Sequence, residues 1–293
     1  MIRQNRMRHL LLLMPVALFA TTGATCIPCI SSQVIALPCP LGPAPTLEQI
    51  IKVINDNSMQ IQSLASYRAG LSGPGFPPLR ATVVFQRPGR LRLRAETVLT
   101  GPELDLGSNE EFFWFWVRRG QPPALYFCRQ DQFAHSSARR MLAIEPQWLI
   151  EALGVVEFDP ALPHQGPKPL PGDHVEISSI RETPQGPETR IAVIDVIHGI
   201  VLQLRHYDGM GRLIATIDTS EHRRDPLTGL VVPTVVQVEC VSARLKMRIE
   251  LGIPEINRLD PRATELWHMP NYQAYPAVDL ANPRVQLTQG PRS

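Results

Sequence analysis

Alternation of apolar and polar positions is clearest over residues 79–117, where a period of two predicts paired β-strands. The turn between the first two strands is predicted at Gln86-Arg87-Pro88-Gly89, because proline presets φ and glycine accepts a positive φ. Arg90, Arg92 and Arg94 fall on one face of the second strand, which we expect to face solvent. The apolar positions of the two strands share the other face: Ala81, Val83 and Phe85, then Leu91, Leu93 and Ala95.

The next apolar segment, residues 112–117, carries aromatic side chains on both faces of a predicted strand. A strand with one buried face does not have this pattern. Either both faces are covered by the rest of the protein, or one face lines a lipid-sized cavity. The residues facing the cavity would be Phe113 and Phe115 or, with the opposite strand parity, Trp114 and Trp116.

Helical spacing of apolar residues predicts one helix before this hairpin and one well after it. The first begins with a capping box at Thr46 and is predicted to run for about five turns. The second, residues 146–153, has Pro146 at a first helical position and an apolar face with Trp148 and Leu149. At about two turns it is too short to be stable alone, so we expect a lid over the mouth of the sheet. The apolar stripe of the first helix is Leu47, Ile50, Ile51, Ile54, Ile61, Leu64 and Ala65.

The second half of the chain alternates in the same way and predicts further antiparallel strands. Both halves together give about eleven strands and two helices, a mostly β (α+β) domain over residues 46–274. Residues 159–172 contain five prolines and predict an exposed loop. We expect Leu266 and Trp267 to pack along the outside of the sheet, and residues 275–293 to form a disordered tail.

Residues 1–25 have the layout of a secretory signal peptide. Arginines precede an apolar run of 11 residues, which is too short to span a bilayer comfortably. Cys26 then follows a group of small residues, which leaves two alternatives: acylation of Cys26, as in bacterial lipoproteins, or ordinary signal-peptidase cleavage. Residues 26–45 are Pro-rich and predict a flexible tether.

The net charge and the spacing of cysteines, histidines and acidic residues argue against nucleic-acid binding, a metal site and catalysis. A net charge of +2 gives no indication of nucleic-acid binding. Cys26 and Cys29 have a metal-like spacing, but no second pair of ligands lies nearby, so we predict no metal site. The eight histidines never pair at metal spacing, and no acid pair lies within an apolar run. We therefore expect neither a cofactor nor an enzyme.

The N-terminal helix, the arginine–proline turn, the aromatic strand, the short lid helix and the long antiparallel return together resemble the LolA/LolB superfamily of periplasmic lipoprotein carriers and acceptors. The resemblance covers about residues 46–270, and its most specific point is the turn from Gln86 to Leu91. It implies an open antiparallel half-barrel whose concave face is covered by helices. It also implies that Arg87 helps to hold the lid closed through backbone carbonyls and that Leu91 handles acyl chains. Asn257 is similar to the asparagine of the family's C-terminal motif.

Pattern and resemblance together predict an exported, non-enzymatic, monomeric protein that binds acyl chains or lipoproteins by burying apolar surface. We expect it in the periplasm or tethered through Cys26 to the cell envelope, at the outer membrane, with Arg87 as the latch of the 146–153 lid. The alternative is an envelope sensor or scaffold of the same fold, whose cavity is filled by its own side chains. The predicted lining is Val83, Phe85, Leu91, Leu93, Phe113, Phe115, Trp148 and Leu149.

Overall fold

The computed structural model describes residues 35–133, 145–183, 186–241 and 244–282. The α-helices within these ranges are α1 (Leu47–Gln60), α2 (Gln130–Phe133) and α3 (Pro146–Ala152), with a 3₁₀ helix at Thr264–Trp267. The strands are β1 (Ser63–Gly73), β2 (Phe76–Gln86), β3 (Arg90–Thr97), β4 (Gly101–Ser108), β5 (Phe112–Val117), β6 (Leu125–Arg129), β7 (His164–Leu170), β8 (His174–Thr183), β9 (Gly186–Asp195), β10 (Ile200–Tyr207), β11 (Leu213–Ser220), β12 (Arg223–Arg224), β13 (Val231–Val232), β14 (Val235–Cys240), β15 (Leu245–Glu250), β16 (Glu255–Ile256) and β17 (Ala277–Asp279).

One large open sheet dominates the described part of the chain. Its order is β17-β6-β5-β4-β3-β2-β1-β15-β14-β11-β10-β9-β8-β7, with β16 added beside one end of β1, which makes 15 strands. Neighbours are antiparallel except β17, which runs parallel to β6. The edge strands β17 and β7 do not pair with each other, so the sheet does not close. The mostly β, open antiparallel prediction is confirmed, with more strands than the eleven or so expected.

Helices α1 and α3 pack on one side of this sheet, which we call the inner face. Helix α1 begins with the predicted capping box: the Gln49 N–H donates to Thr46 Oγ1, and the Thr46 N–H donates to Gln49 Oε1. Its Ile50 and Ile54 are buried in one continuous core with α3 and the inward side chains of the strands. Burial of this apolar stripe, rather than intrinsic propensity, holds a helix of this length in place.

The opposite side of the sheet, the outer face, is partly covered by residues 257–282, which we call the C-terminal segment. Trp267 packs on Ala65 and Val84, so the predicted packing of this part of the chain along the outside is found. Further along, Tyr272 and Tyr275 cover the tryptophans of β5. The aromatic strand therefore has two buried faces, one inward and one beneath the C-terminal segment.

Helix α1 is shorter than predicted. It ends at Gln60, and Leu64 and Ala65 belong to strand β1, where they pair with Phe85 and Val84. Leu64 packs in the inner core and Ala65 on the outer face, so both faces of this strand are buried. A short apolar run fits helical and strand patterns equally well, and long-range pairing with β2 decides between them here.

Two other predictions are corrected at the sheet edges. Within residues 159–172, His164–Leu170 is edge strand β7 rather than loop. An edge strand tolerates prolines at positions where the backbone N–H would face away from the neighbouring strand and make no hydrogen bond within the sheet. The predicted disordered tail is ordered at its start, where Ala277–Asp279 pairs with β6 and Leu280 is fully buried.

Residues 1–25, Cys26 and Cys29 lie outside the described residues, as do the first part of the predicted tether and residues 283–293. Within the described ranges, no helix is both long enough and apolar enough to cross a bilayer.

Candidate functional site

The predicted lining residues come together where helix α3 packs on the inner face of the sheet. Six of them lie on strands β2, β3 and β5, and β4 lies between β3 and β5 in the sheet. On β5, Phe113 and Phe115 face inward, and Trp114 and Trp116 face outward. Trp148 and Leu149 of α3 join the same core. All eight are buried except Phe115, which is half-buried. The surface that the strands form is apolar and continuous, and we call it the trough; helices α1 and α3 are its cover.

Helices α1 and α3 pack against the trough. The space between α1 and strands β10 and β11 is about 30 Å³, room for one or two water molecules. A space of about 220 Å³ beside α3 is lined largely by charged groups, including Glu151, Arg181 and Arg190. In the described part of the chain, the lining side chains therefore contact one another and the helices.

Arg87 holds the end of α1. Its Nε donates to the carbonyl of Ile61 at 2.9 Å, and its Nη2 donates to the carbonyl of Ser58 at 2.8 Å. A cation at this position is favourable because the carbonyls at a helix C-terminus carry partial negative charge. The same Nη2 lies 2.5 Å from a carboxylate oxygen of Glu157. Arg87 thus bonds to backbone carbonyls, but to those at the end of α1 rather than those of the 146–153 helix as expected.

The turn that carries Arg87 differs from the expected one. The Arg87–Pro88 peptide bond is cis, and Gly89 is not among the glycines with positive φ. The backbone N–H of Arg87 donates to the carbonyl of Gln62 at 2.9 Å. Both the side chain and the backbone of Arg87 therefore join the hairpin to the junction between α1 and β1.

Helix α3 is attached by a buried carboxylate. Glu151 is 5% exposed, lies 2.7 Å from Arg190 Nη1 on β9, and has a second oxygen 3.2 Å from His206 Nε2 on β10. Burial alone would raise the pKa of Glu151, but the positive charge of Arg190 and the neighbouring imidazole lower it to about 2. Glu151 is therefore a carboxylate at neutral pH and ties α3 to the sheet.

Two asparagines of α1 bind the backbone of neighbouring segments, one in the loop after α3 and one in β13. Asn55 both donates to and accepts from the backbone of Phe158, at 2.9 and 2.8 Å. Asn57 makes the same pair of bonds with Val231, both at 2.9 Å. Because Phe158 lies just after α3, the first asparagine joins the two covering helices through one loop. Asn257, the residue singled out by the resemblance, binds the α1–β1 junction through Gln60, Gln62 and Ser63.

The three arginines of β3 are not equivalent, although all were expected to face solvent. Arg92 is 6% exposed and makes a two-pronged ion pair with Asp105, with distances of 2.7 and 2.6 Å. Its Nη1 donates to the carbonyls of Leu266 and His268 in the C-terminal segment. Arg94 is half exposed and lies 3.8 Å from Asp105. The expectation fails for Arg92 because the C-terminal segment covers this part of the outer face.

Sequence reasoning missed Glu151, Arg190 and Asn57 among the groups that hold the cover. A signal existed for Glu151, because an acidic residue three positions after Trp148 lies on the apolar face of a short helix. Asn57 and Arg190 gave no such signal, because their partners lie more than thirty residues away. No group of three or more His, Cys, Asp or Glu side chains in the described ranges is placed to hold a metal ion.

Comparison with known proteins supports the fold. No protein-family model and no curated protein sequence matches the chain. A Vibrio parahaemolyticus domain named for outer membrane lipoprotein sorting is similar, with a TM-score of 0.50 and 10% identity over 76% of this chain and 100% of that chain. A LolA superfamily protein from Nitrosomonas europaea has a TM-score of 0.45 and 11% identity, over 75% and 97% of the two chains.

The open sheet, its two covering helices and the likeness to the lipoprotein-sorting domain define the class: this chain has a LolA-like fold. The fold predicted from the resemblance is thereby confirmed. At 10% identity the likeness concerns the fold alone, and the function has to be argued from the trough and its cover.

Proposed function

We propose that this protein is a non-enzymatic binder of acyl chains or of acylated proteins, with the trough as its binding site. One observation carries the proposal: a continuous apolar surface of several strands is closed by two short helices that are attached through polar bonds. Each methylene of an acyl chain that leaves water for such a surface contributes about 0.8 kcal/mol. Val83, Phe85, Leu91, Leu93, Phe113, Phe115, Trp148 and Leu149 would contact the chain.

Binding requires the cover to move, because α1 and α3 share one buried core with the strand residues and the space between α1 and strands β10 and β11 is only about 30 Å³. The attachments that must break are bonds of side chains to backbone, made by Arg87, Asn55 and Asn57, and the ion pair of Glu151. The acyl chain would replace the apolar side chains of α1 and α3 against the strands. The open state with a bound acyl chain and the closed state without one would then bury similar apolar areas of the strands, so that the free-energy difference between them would be small.

The proposed location follows from the N-terminal sequence. Residues 1–25 would direct export, and the chain would act in the periplasm or be anchored through acylated Cys26 to the cell envelope, at the outer membrane. We propose that it acts as a monomer and without a cofactor.

The second candidate function is an envelope sensor or scaffold that acts through protein partners. The packing of the trough favours it, because side chains of α1 and α3 already share one buried core with the inward side chains of the strands. In that case the cover would stay closed, and an acyl chain would find no site.

Uptake of a fluorescent fatty acid by the delipidated protein distinguishes the two functions. We expect saturable uptake at micromolar concentration by the wild type and at least a tenfold loss in Leu91→Glu, because a carboxylate on the trough floor has to be desolvated. Phe115→Glu is the second variant, since Phe115 is only half-buried and its replacement disturbs folding less. Leu227→Glu, in an exposed turn, is the control. Absence of uptake by the folded wild type would exclude the proposed function.

A further inference from the structure

A second concave site lies on the outer face, on the side of the sheet opposite to the trough. It is a groove of about 590 Å³ over strands β1, β2 and β3, beside Leu266 of the C-terminal segment. The C-terminal segment covers the outer face near Val84 and Arg92 and leaves the other end of these strands open. We call this open concavity the arginine groove.

Strand register brings two arginines together in the floor of the arginine groove. Arg94 lies directly opposite Thr82, and Arg80 lies opposite Glu96. Arg80 and Arg94 are thus diagonal neighbours, with side-chain bases about 7–8 Å apart. That spacing allows two guanidinium groups to converge on a single ligand placed above Thr82.

A β-bulge in β1 adds a third arginine. Ser66 pairs with Val83 and Ala69 pairs with Ala81, so Tyr67 and Arg68 together oppose one residue of β2. Both of these side chains are exposed and line the arginine groove, and Tyr67 is 53% exposed. The bulge therefore directs a cation and an aromatic hydroxyl toward the same space.

The positive charge of the arginine groove is only partly neutralised. Asp105 already accepts two hydrogen bonds from Arg92 and others from Tyr272 and Trp114, and Arg94 is 3.8 Å away without a hydrogen bond. Among the described residues, the side chains of Arg68 and Arg80 have no ion pair or hydrogen bond. Glu96 is the remaining carboxylate in the lining. Three guanidinium groups are thus available to a ligand that approaches from solvent.

We propose that the arginine groove binds a phosphate group, with Arg80 and Arg94 as the main ligands and Arg68 at the rim. The planar fork of a guanidinium matches two phosphate oxygens at once, and these charge-assisted hydrogen bonds are stronger than neutral ones. The phosphate comes either from a small free anion or from the headgroup of an anionic lipid. The site does not depend on acyl binding in the trough, because it lies on the other face of the sheet.

Binding is measured with two probes on the full chain carrying Cys26→Ser, so that no acyl anchor contributes. Inorganic pyrophosphate, followed by calorimetry, reports a free anion, and flotation with phosphatidylglycerol vesicles reports a lipid headgroup. The test variant is Arg80→Gln with Arg94→Gln. The control removes the same charge elsewhere through Lys52→Gln on α1 and Arg223→Gln on the separate two-stranded sheet. Thermal unfolding checks that both variants are folded.

We expect the parent chain to bind at least one probe, and the test variant to lose about tenfold or more of that affinity while the control keeps it. Added salt should weaken binding, because the interaction is electrostatic. Binding of pyrophosphate assigns the phosphate to a free anion, and binding of vesicles alone assigns it to a lipid headgroup. Two results would overturn the proposal: no binding of either probe, or equal affinity of the test variant and the control.

Discussion

Asp105 is a buried carboxylate at the centre of a group of polar contacts on the outer face. It is fully buried, pairs with Arg92 through two hydrogen bonds, and accepts a third from the Tyr272 hydroxyl at 2.8 Å. Burial and the nearby carboxylate raise the pKa of Tyr272, so its phenol stays protonated and can donate. Arg92 in turn binds the carbonyls of Leu266 and His268. One ion pair therefore joins strands β3 and β4 to the C-terminal segment.

Asp105→Asn tests this arrangement. The substitution keeps the shape of the side chain but leaves the Arg92 guanidinium buried without its counter-charge. We expect the free energy of unfolding to fall by about 3 kcal/mol or more, measured by urea denaturation. The control is Glu110→Gln, which removes a partly exposed partner of Arg90 and should cost less than about 1 kcal/mol. Equal losses in the two variants would show that Asp105 has no special role.

Individual contacts of this kind could not be predicted from the sequence. Alternation placed Arg90, Arg92 and Arg94 correctly on one face, yet it gave no sign that the C-terminal segment would cover Arg92. The same covering explains why strand parity at Phe113 and Trp114 stayed open, since the aromatic strand is buried on both sides. In both cases the deciding partner lies more than 150 residues further along the chain.

At the scale of elements, α3 shows how a short helix is held. Pro146 starts it, Glu151 binds β9, and Gly154 ends it with a φ of +88°. A side chain at Gly154 would place its Cβ 2.7 Å from Cδ of Pro233. The helix end therefore needs glycine for two reasons, its left-handed backbone and its close approach to the β13–β14 connection.

The two reasons can be separated with a matched pair of variants. Gly75 has the same φ of +88°, but a Cβ there would meet nothing within 4 Å. We expect Gly75→Ala to cost about 1 kcal/mol from the backbone alone and Gly154→Ala clearly more, because Pro233 must also shift. Thermal unfolding of both variants measures the difference. If Gly154→Ala were no more damaging than Gly75→Ala, the close approach would not constrain the helix end.

Sequence patterns predicted elements better than contacts. Helix α3 and the hairpin of β2 and β3 lie close to where periodicity placed them, because each is strongly patterned. The helix extension to Ala65 and the loop at residues 159–172 were wrong for a common reason. In each case, pairing with a neighbouring strand decided the structure. Strand β1 forms despite the helical spacing of its apolar residues, and strand β7 forms despite its prolines.

At the scale of the whole molecule, buried ionisable groups make stability depend on pH. Burial lowers the pKa of His222 from 6.5 to about 4. For Glu151, burial acts in the opposite direction, but Arg190 and His206 outweigh it and lower the pKa from 4.5 to about 2. A group whose pKa is lower in the folded state binds more protons in the unfolded chain, so acid favours unfolding.

We therefore expect the free energy of unfolding to decrease as the pH falls from 6.5 to 4 through His222 and from 4.5 to 2 through Glu151. In Glu151→Gln the lower part of this decrease should flatten, with a loss on the order of a few kcal/mol at neutral pH. Asp56→Asn, which removes an exposed carboxylate of α1, serves as the control. Urea denaturation at several pH values provides the measurement. An unchanged acid slope in Glu151→Gln would contradict the role given to this residue.

At the same scale, the bonds between the two covering helices make the cover of the trough one unit. Asn55 joins α1 to the loop after α3, and Arg87 joins the end of α1 to Glu157 in the same loop. Fixing α1 to the sheet should therefore keep the whole trough closed. Val53 and Gly199 offer a place for a cross-link, because a Cβ at Gly199 would lie 3.6 Å from Cβ of Val53, within the span of a disulfide. The φ of +66° at Gly199 adds a backbone cost of about 1 kcal/mol, which the oxidised and reduced forms share.

The most direct test of acyl binding in the trough is uptake of a fluorescent fatty acid by the Val53→Cys, Gly199→Cys protein, oxidised and then reduced. We expect the reduced form to bind the probe and the oxidised form to bind it at least tenfold more weakly, because the helices can no longer leave the strands. The two forms share one sequence, so reduction of the same sample provides the control. Equal uptake before and after reduction would contradict the claim that acyl chains enter beneath α1.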